Sequence, residues 1–303
     1  MTIAMLPVTP SVTPKQNENA LHRAGRLESL GLTSLAIPGV ALILVTIVLP
    51  LSVMVFLSFV EQNGTFTFEN YERLWSTPIY AEVFRMTFAV SLYTTVLVAL
   101  FGYPLAYLLV QLPERFQNAA LLVVLLPFWT AVLVRTYAWL VLLQNQGIIN
   151  HALMKLGIIN TPLELSHNLL GALIGMVHIM LPFMVLPLYA SMKAINSDLM
   201  TAASNLGASP SRAFRDVYFP LSLPGFLSGT LIVFVLCLGF YVTPAVLGGG
   251  RVIMAAMRID ANIRLYSSWG AASSLGVVLL LITVILIIVA SIIAKKTGQG
   301  VFR

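Results

Sequence analysis

Residues able to do acid–base or metal chemistry are few in this chain and poorly spaced for it. Four histidines, His22, His151, His167 and His178, are scattered along 303 residues, and no pair stands at metal-ligand spacing. The one cysteine, Cys237, excludes an internal disulfide framework and a Cys-based metal cluster. It lies in an apolar run and reads as a buried, inert thiol. No G-x-x-x-x-G-K-[ST] stretch occurs, so the usual phosphate-cradling loop is missing. These residues give no catalytic group, no metal site and no cofactor bound by this chain. What remains is Arg135, a basic residue inside an apolar run, with Trp129 and Tyr137 nearby and a second aromatic pair at Phe240 and Tyr241. An intramembrane charge is a functional candidate by default, and ring faces attract cations. Arg135 lies about 17 residues into its expected helix, roughly 25 Å along it. Three readings are open for it: substrate contact, gating or packing, or a headgroup anchor. The four aromatics are either pathway lining or packing and interfacial-belt residues. His178, in mid-span, reads as hydrogen-bonded between helices.

Those candidates need elements that hold them in a membrane. The chain is 58% hydrophobic and 9% charged, far below the roughly 25% charge of soluble domains. Its mean hydropathy is +0.92. Apolar spans are predicted at 35–60, 84–110, 118–143, 169–192, 221–246 and 272–294, each long enough to cross about 30 Å of hydrocarbon. Prolines within them are tolerated where neighbours satisfy the freed carbonyls. Residues 1–34 are polar, lack the pattern of a signal peptide and read as a cytoplasmic tail. The expected fold class is therefore an all-α integral membrane protein with six transmembrane helices and both termini on one side.

Orientation follows from Lys and Arg. With the N-terminus inside, ten of the 17 fall in inner segments (among them Lys15, Arg23, Arg115, Lys193, Arg212 and Arg215) and six in outer segments. That bias favours cytoplasmic termini. It also accounts for the net charge of +6 without nucleic acid as a partner; lipid is the expected one. Of the outer segments, 61–82 combines four glutamates with aromatics. Residues 248–270 place apolar side chains at 252, 256, 259 and 263, the period of one helical face. That segment is either an interfacial helix or a plain loop.

The longest inner loop, 194–219, interrupts the apolar chain with "AASNLGASPSRAFRDVYFPLSLPG". Ser197-Asp198 predicts a helix start, and Leu199, Ala202, Ala203 and Leu206 then share a face. Gly207 fits the stop, Ser209-Pro210 restarts a helix, and Pro220 and Pro224 mark the return into the membrane. The loop thus reads as two short helices about a glycine bend, the first with a strip of small apolar residues. Such a strip either lies on the inner leaflet or receives a closely approaching partner.

The pattern Ala202-Ala203, Gly207-Ala208-Ser209, Phe214, Val217, Pro220 and Pro224-Gly225 resembles the "EAA" loop of permease subunits from binding-protein-dependent ABC importers. Thr201 stands where that family usually has glutamate. "PFWTAVLVRTYAWLVLL", "GIIN" and "GFYVTPAVLGGG" are similar to the spermidine/putrescine type of permease, a group that also holds permeases for opines and amino-acid-like solutes. The resemblance implies the MetI-like architecture, with coupling helices docked in a cytoplasmic ATPase. Thr201, Ala202, Ala203, Leu206, Gly207, Ala208, Ser209, Phe214 and Pro220 would form that coupling loop. It further implies two ATP-binding subunits that use ATP and Mg, a second and different permease chain, a periplasmic or extracellular solute-binding protein, and a place in the bacterial inner membrane. A polyamine pathway would be expected to use carboxylates, yet no Asp or Glu falls inside a predicted span. Either the binding protein does the recognition or the solute is another one. An ATP-independent secondary transporter would call for intramembrane carboxylates or paired broken helices, and a membrane enzyme for a His, Asp or Glu cluster; neither pattern is evident.

Overall fold

The computed structural model describes residues 37–296 except Gln62, with side chains as far as Ile292. The expected tail, 1–34, lies outside the described residues. The chain divides into two units that meet at Phe56 and Leu57. The first contributes nearly all of α1, Ile37–Ser58, long and apolar enough to cross a membrane.

The second unit is built from helices because a chain in lipid must satisfy its backbone groups within each segment. In order they are α2 (Glu69–Ser76), α3 (Pro78–Gln111), α4 (Glu114–Leu125), α5 (Val132–Leu143), α6 (Ile148–Lys155) and α7 (Leu169–Lys193). There follow α8 (Ser197–Asn205), α9 (Pro210–Ala213), α10 (Phe219–Leu238), α11 (Val242–Leu247), α12 (Ala255–Arg264) and α13 (Trp269–Lys296). Among the described residues, the extended pairing is an isolated bridge between Val60 and Phe66.

The core lies where α3, α7 and α10 pack together, around Met176, Met180, Met184 and Leu188 of α7, with Val98 of α3 and Val233 of α10. Methionine fills the irregular gaps that three crossing helices leave. Gly225 and Gly229, four residues apart on α10, let it approach α7 at backbone distance. A Cβ at Gly225 would stand 2.6 Å from the Pro187 carbonyl oxygen, and one at Gly229 would stand 2.6 Å from Met184 Sδ. Small residues four apart are the usual means of close helix contact in membranes.

Two predicted spans are not continuous helices. The segment predicted at 118–143 is α4, a 3-10 turn over Leu126–Trp129, and α5, with a bend of 96° at the break. Pro127 lacks the amide that would continue α4, and the Thr130 hydroxyl donates to the Pro127 carbonyl at 2.7 Å. Arg135 therefore lies in the first turn of a new helix, not deep inside an old one. The span predicted at 221–246 stops at Leu238. Pro244 would clash with the carbonyl of Phe240 in a continuing helix, so the chain breaks at Gly239–Tyr241 and restarts as α11. Segment 248–270 contains a helix, α12, but its Ile259 packs on Leu74, Tyr80 and Leu275. That face covers protein rather than lying on lipid.

Gly229→Val should lower the stability of the purified protein by about 1–3 kcal/mol through overpacking, measured by denaturant unfolding in detergent. Gly239→Ala, where a Cβ meets nothing within 4 Å, should change it by a few tenths at most.

Candidate functional site

The predicted coupling loop is a helix, a left-handed turn and a second helix. The cap of α8 is Asn196, whose side chain accepts from the Asp198 amide at 2.9 Å; Ser197 is already helical. An amide-bearing side chain one residue earlier reaches the free N–H groups equally well. Gly207 has φ +83°, and the Gly207 and Ala208 amides donate to Ser204 and Ala203, both at 3.0 Å. Only a residue without Cβ strain closes a helix this way cheaply.

The second helix does not stop at Pro220. From Pro210 it runs through α9, a π-turn at Phe214–Tyr218 and α10 to Leu238, one span of 29 residues. Pro220 lies inside this continuous helix, directly after the π-turn. Thr201, Ala202, Gly207, Ser209 and Leu206 are exposed, Leu206 to 89%, while Ala203 and Ala208 are half-buried.

Phe214 belongs to a different surface. Its ring stands edge-on to Tyr107 at 5.5 Å and Tyr103 at 6.2 Å, and stacks on Tyr218 at 5.7 Å. Tyr103 also shares a hydrogen bond with Ser222 at 2.8 Å. Phe214 thus ties the loop to α3. Gln117 strengthens the same end by donating to the Val110 and Leu112 carbonyls, while Tyr189 donates to its Oε1 at 3.3 Å. Sequence reasoning missed Tyr103, Tyr107, Tyr218 and Gln117. The only signal was the four-residue spacing of Tyr103 and Tyr107, which puts them on one face of α3.

The two span breaks frame a cavity of ≈ 550 Å³ lined by Phe128, Trp129, Thr130, Ala131, Val132 and Arg135 from the first break, Leu236 and Phe240 from the second, and Ile179, Met180 and Phe183 of α7. It brings together Trp129, Arg135 and Phe240 of the predicted pathway residues. Tyr137 is exposed elsewhere on α5, and Tyr241 donates to Asp260 at 3.2 Å outside the cavity. Arg135 is 9% exposed, and its Nε and Nη1 have no hydrogen-bond partner among the described residues. The buried Nδ1 of His178 has no hydrogen-bond partner among the described residues, and its ring meets Trp139 edge-on at 5.6 Å. The breaks are joined directly, since the buried hydroxyls of Thr136 on α5 and Thr243 on α11 lie 3.0 Å apart. A Cβ on Gly175 of α7 would meet Leu247 at 2.5 Å, so α11 is seated hard against that helix. Among the described residues, no cluster of His, Cys, Asp and Glu could hold a metal ion.

Comparison with known proteins bears on this arrangement. The family described as "Binding-protein-dependent transport system inner membrane component" matches residues 83–299. The chain is 32% identical over 242 residues to the spermidine/putrescine transport system permease protein PotB of Haemophilus influenzae, covering 77% of this chain and 84% of that protein. To PotB of Escherichia coli K12 it is 34% identical over 225 residues, covering 74% and 81%. Among solved structures, a chain of a bacterial alginate ABC transporter, in complex with an alginate pentasaccharide-bound periplasmic protein, superposes with a TM-score of 0.70 at 14% identity. That match covers 90% of this chain and 96% of the other, and so bears on fold alone.

The hydroxyl pair should be measurable as a coupling. In a double-mutant cycle of Thr136→Val and Thr243→Val, unfolding in detergent should give an interaction energy of about 0.6–1.7 kcal/mol. Strict additivity would mean that the two breaks are not joined through these groups.

Proposed function

The chain belongs to the family of binding-protein-dependent transport system inner membrane components, and from that premise we propose how it works and what it carries. It is a multi-pass permease subunit of an ABC importer, a transport component and not an enzyme. The solute is a polyamine of the spermidine/putrescine class, the reading supported by the PotB relatives. A second reading, an opine or amino-acid-like solute, is favoured by the cavity, whose one charged residue is a cation.

Both termini are cytoplasmic, from the Lys and Arg bias, so the 194–219 loop faces the cytoplasm. Two ATP-binding subunits hydrolyse ATP with Mg there, and a second permease chain completes the pathway. A solute-binding protein delivers from the opposite side. A single observation carries the mechanism: the exposed apolar strip of Leu199, Ala202 and Leu206 stands beside a helix that runs unbroken from Pro210 to Leu238. An ATPase that grips the strip therefore moves a rod whose far end is the break at Gly239. Thr201, in the place of the family's usual glutamate, supplies a hydroxyl in place of one charged contact. Phe214 acts by holding the rod to α3, not by touching the ATPase.

Ala202→Glu with Ala203→Glu should abolish co-purification of the ATP-binding subunit from mild detergent and abolish uptake, while leaving the protein in the membrane. Normal uptake by this variant would contradict docking at the strip. Phe214→Ala should separate the two steps. The ATPase stays bound, but uptake per ATP hydrolysed falls at least about tenfold as buried ring packing is lost.

A further inference from the structure

The second break is tied to an anchored helix by one carboxylate. Tyr241, which follows the cavity residue Phe240, donates its hydroxyl to Asp260 Oδ2 at 3.2 Å. Asp260 stands on α12, and α12 is held from several sides. Its Ala255 amide donates to the buried Thr87 hydroxyl of α3 at 2.8 Å, and Ile259 packs on Leu74, Tyr80 and Leu275. Arg258 lies over the rings of Tyr80 and Tyr266, at 5.7 and 5.3 Å. The other oxygen of Asp260 already binds a cation. Oδ1 accepts from Arg264 Nε at 2.6 Å, one turn further along α12. That guanidinium side chain is 76% exposed, and an exposed pair at this spacing adds little net stability. A solute ammonium can therefore take its place at small cost. The Tyr241 ring, 41% exposed, offers a face to the same charge. Among the described residues, the pairs Glu69–Arg73 of α2 and Glu82–Arg85 of α3 are alike in spacing, but neither reaches a break. The cavity wall itself offers a polycation ring faces and no carboxylate.

We propose that Asp260 receives an ammonium group of the transported polyamine as it reaches the second break, the ammonium displacing Arg264 from Oδ1 while Tyr241 stays on Oδ2. The site rests on the polyamine reading and deepens it. The carboxylate that a polyamine pathway calls for then lies on α12, outside the spans, which explains why none is found within them. Arg264 is a stand-in cation: it keeps Asp260 paired between turnovers and leaves when a solute amine arrives. Primary and secondary ammonium groups both suit the site, because each donates charge-assisted hydrogen bonds to a carboxylate.

The test is ATP-driven uptake of radiolabelled spermidine and putrescine by the assembled importer in proteoliposomes. Loaded binding protein is supplied at saturation, so that the rate reports transfer into the permease and not capture from solution. Rates are taken per assembled complex. D260N should lower uptake of both solutes at least about tenfold, as for loss of a charge-assisted hydrogen bond, and D260E should retain most of it. R264Q should act in the opposite direction and raise uptake about twofold, by freeing the carboxylate from an exposed pair. A purely structural ion pair would make D260N and R264Q fall alike, and that result would overturn the proposal. Uptake unchanged by D260N or by R264Q would overturn it too. If D260N fails to assemble, the direction of the R264Q effect decides alone. A native complex that takes up neither polyamine would overturn the polyamine reading itself, and this site with it. Native uptake that does not respond to D260N would overturn the site alone.

Discussion

The helix from Pro210 to Leu238 must satisfy its own backbone hydrogen bonds where lipid surrounds it, and everything else in the second unit follows from that constraint. Its 29 residues make a rod of roughly 43 Å at 1.5 Å per residue. A π-turn at Phe214–Tyr218 is the one irregularity, and it is the stretch fixed by the rings of Tyr103 and Tyr107. The irregular stretch is thereby packed against α3. Gly225 and Gly229 bring the rod against α7 at backbone distance.

The opposite end of the rod meets a region built differently. Two spans break there, one at Pro127–Ala131 and one at Gly239–Tyr241, and the buried pair of Thr136 and Thr243 ties the resulting helices together. Broken helices are tolerated at membrane depth only where protein or a water-filled cavity satisfies the freed groups. Here the two breaks line one cavity, between Trp129, Arg135 and Phe240. The same break that relieves α4 of Pro127 creates a new helix N-terminus beside Arg135, so geometry and electrostatics have one origin. The exposed strip of Leu199, Ala202 and Leu206 near one end and a charged cavity at the other are thus joined by the helix between them.

Much of this was legible in the sequence, and the gaps have physical reasons. The number and rough positions of the apolar segments follow from hydropathy, since span length is set by bilayer thickness. Gly207 was legible because a left-handed position costs glycine least, and Pro210 because a first-turn proline loses no hydrogen bond. Hydropathy cannot register a 96° bend, however, because Leu126, Phe128 and Trp129 are as apolar bent as straight. Pro127 and Pro244 were visible as prolines, but prolines in α3, α7 and α10 leave those helices continuous. The difference lies in tertiary contacts. The rings of Tyr103 and Tyr107 around Phe214 were not legible for a related reason: spacing gives the face a residue occupies but not what covers it. Arg135 stood out as an intramembrane charge, yet its place at a helix N-terminus depended on the unseen break.

The central claim is that the loop and the second break move as one body, and that the contact of Thr136 with Thr243, which joins the two breaks here, opens as they do. Pulsed electron–electron distance measurements test this directly, using the assembled importer with Cys237, the chain's one cysteine, replaced by Ala. Spin labels at Leu206 and Tyr241 report on the rod, and labels at Leu133 and Tyr241 report across the breaks; all three positions are exposed. Between the nucleotide-free and ATP-trapped states, the first distance should stay constant and the second should change. A first distance that changes while the second stays fixed would contradict the account, because the loop would then be moving without the helix it is built on.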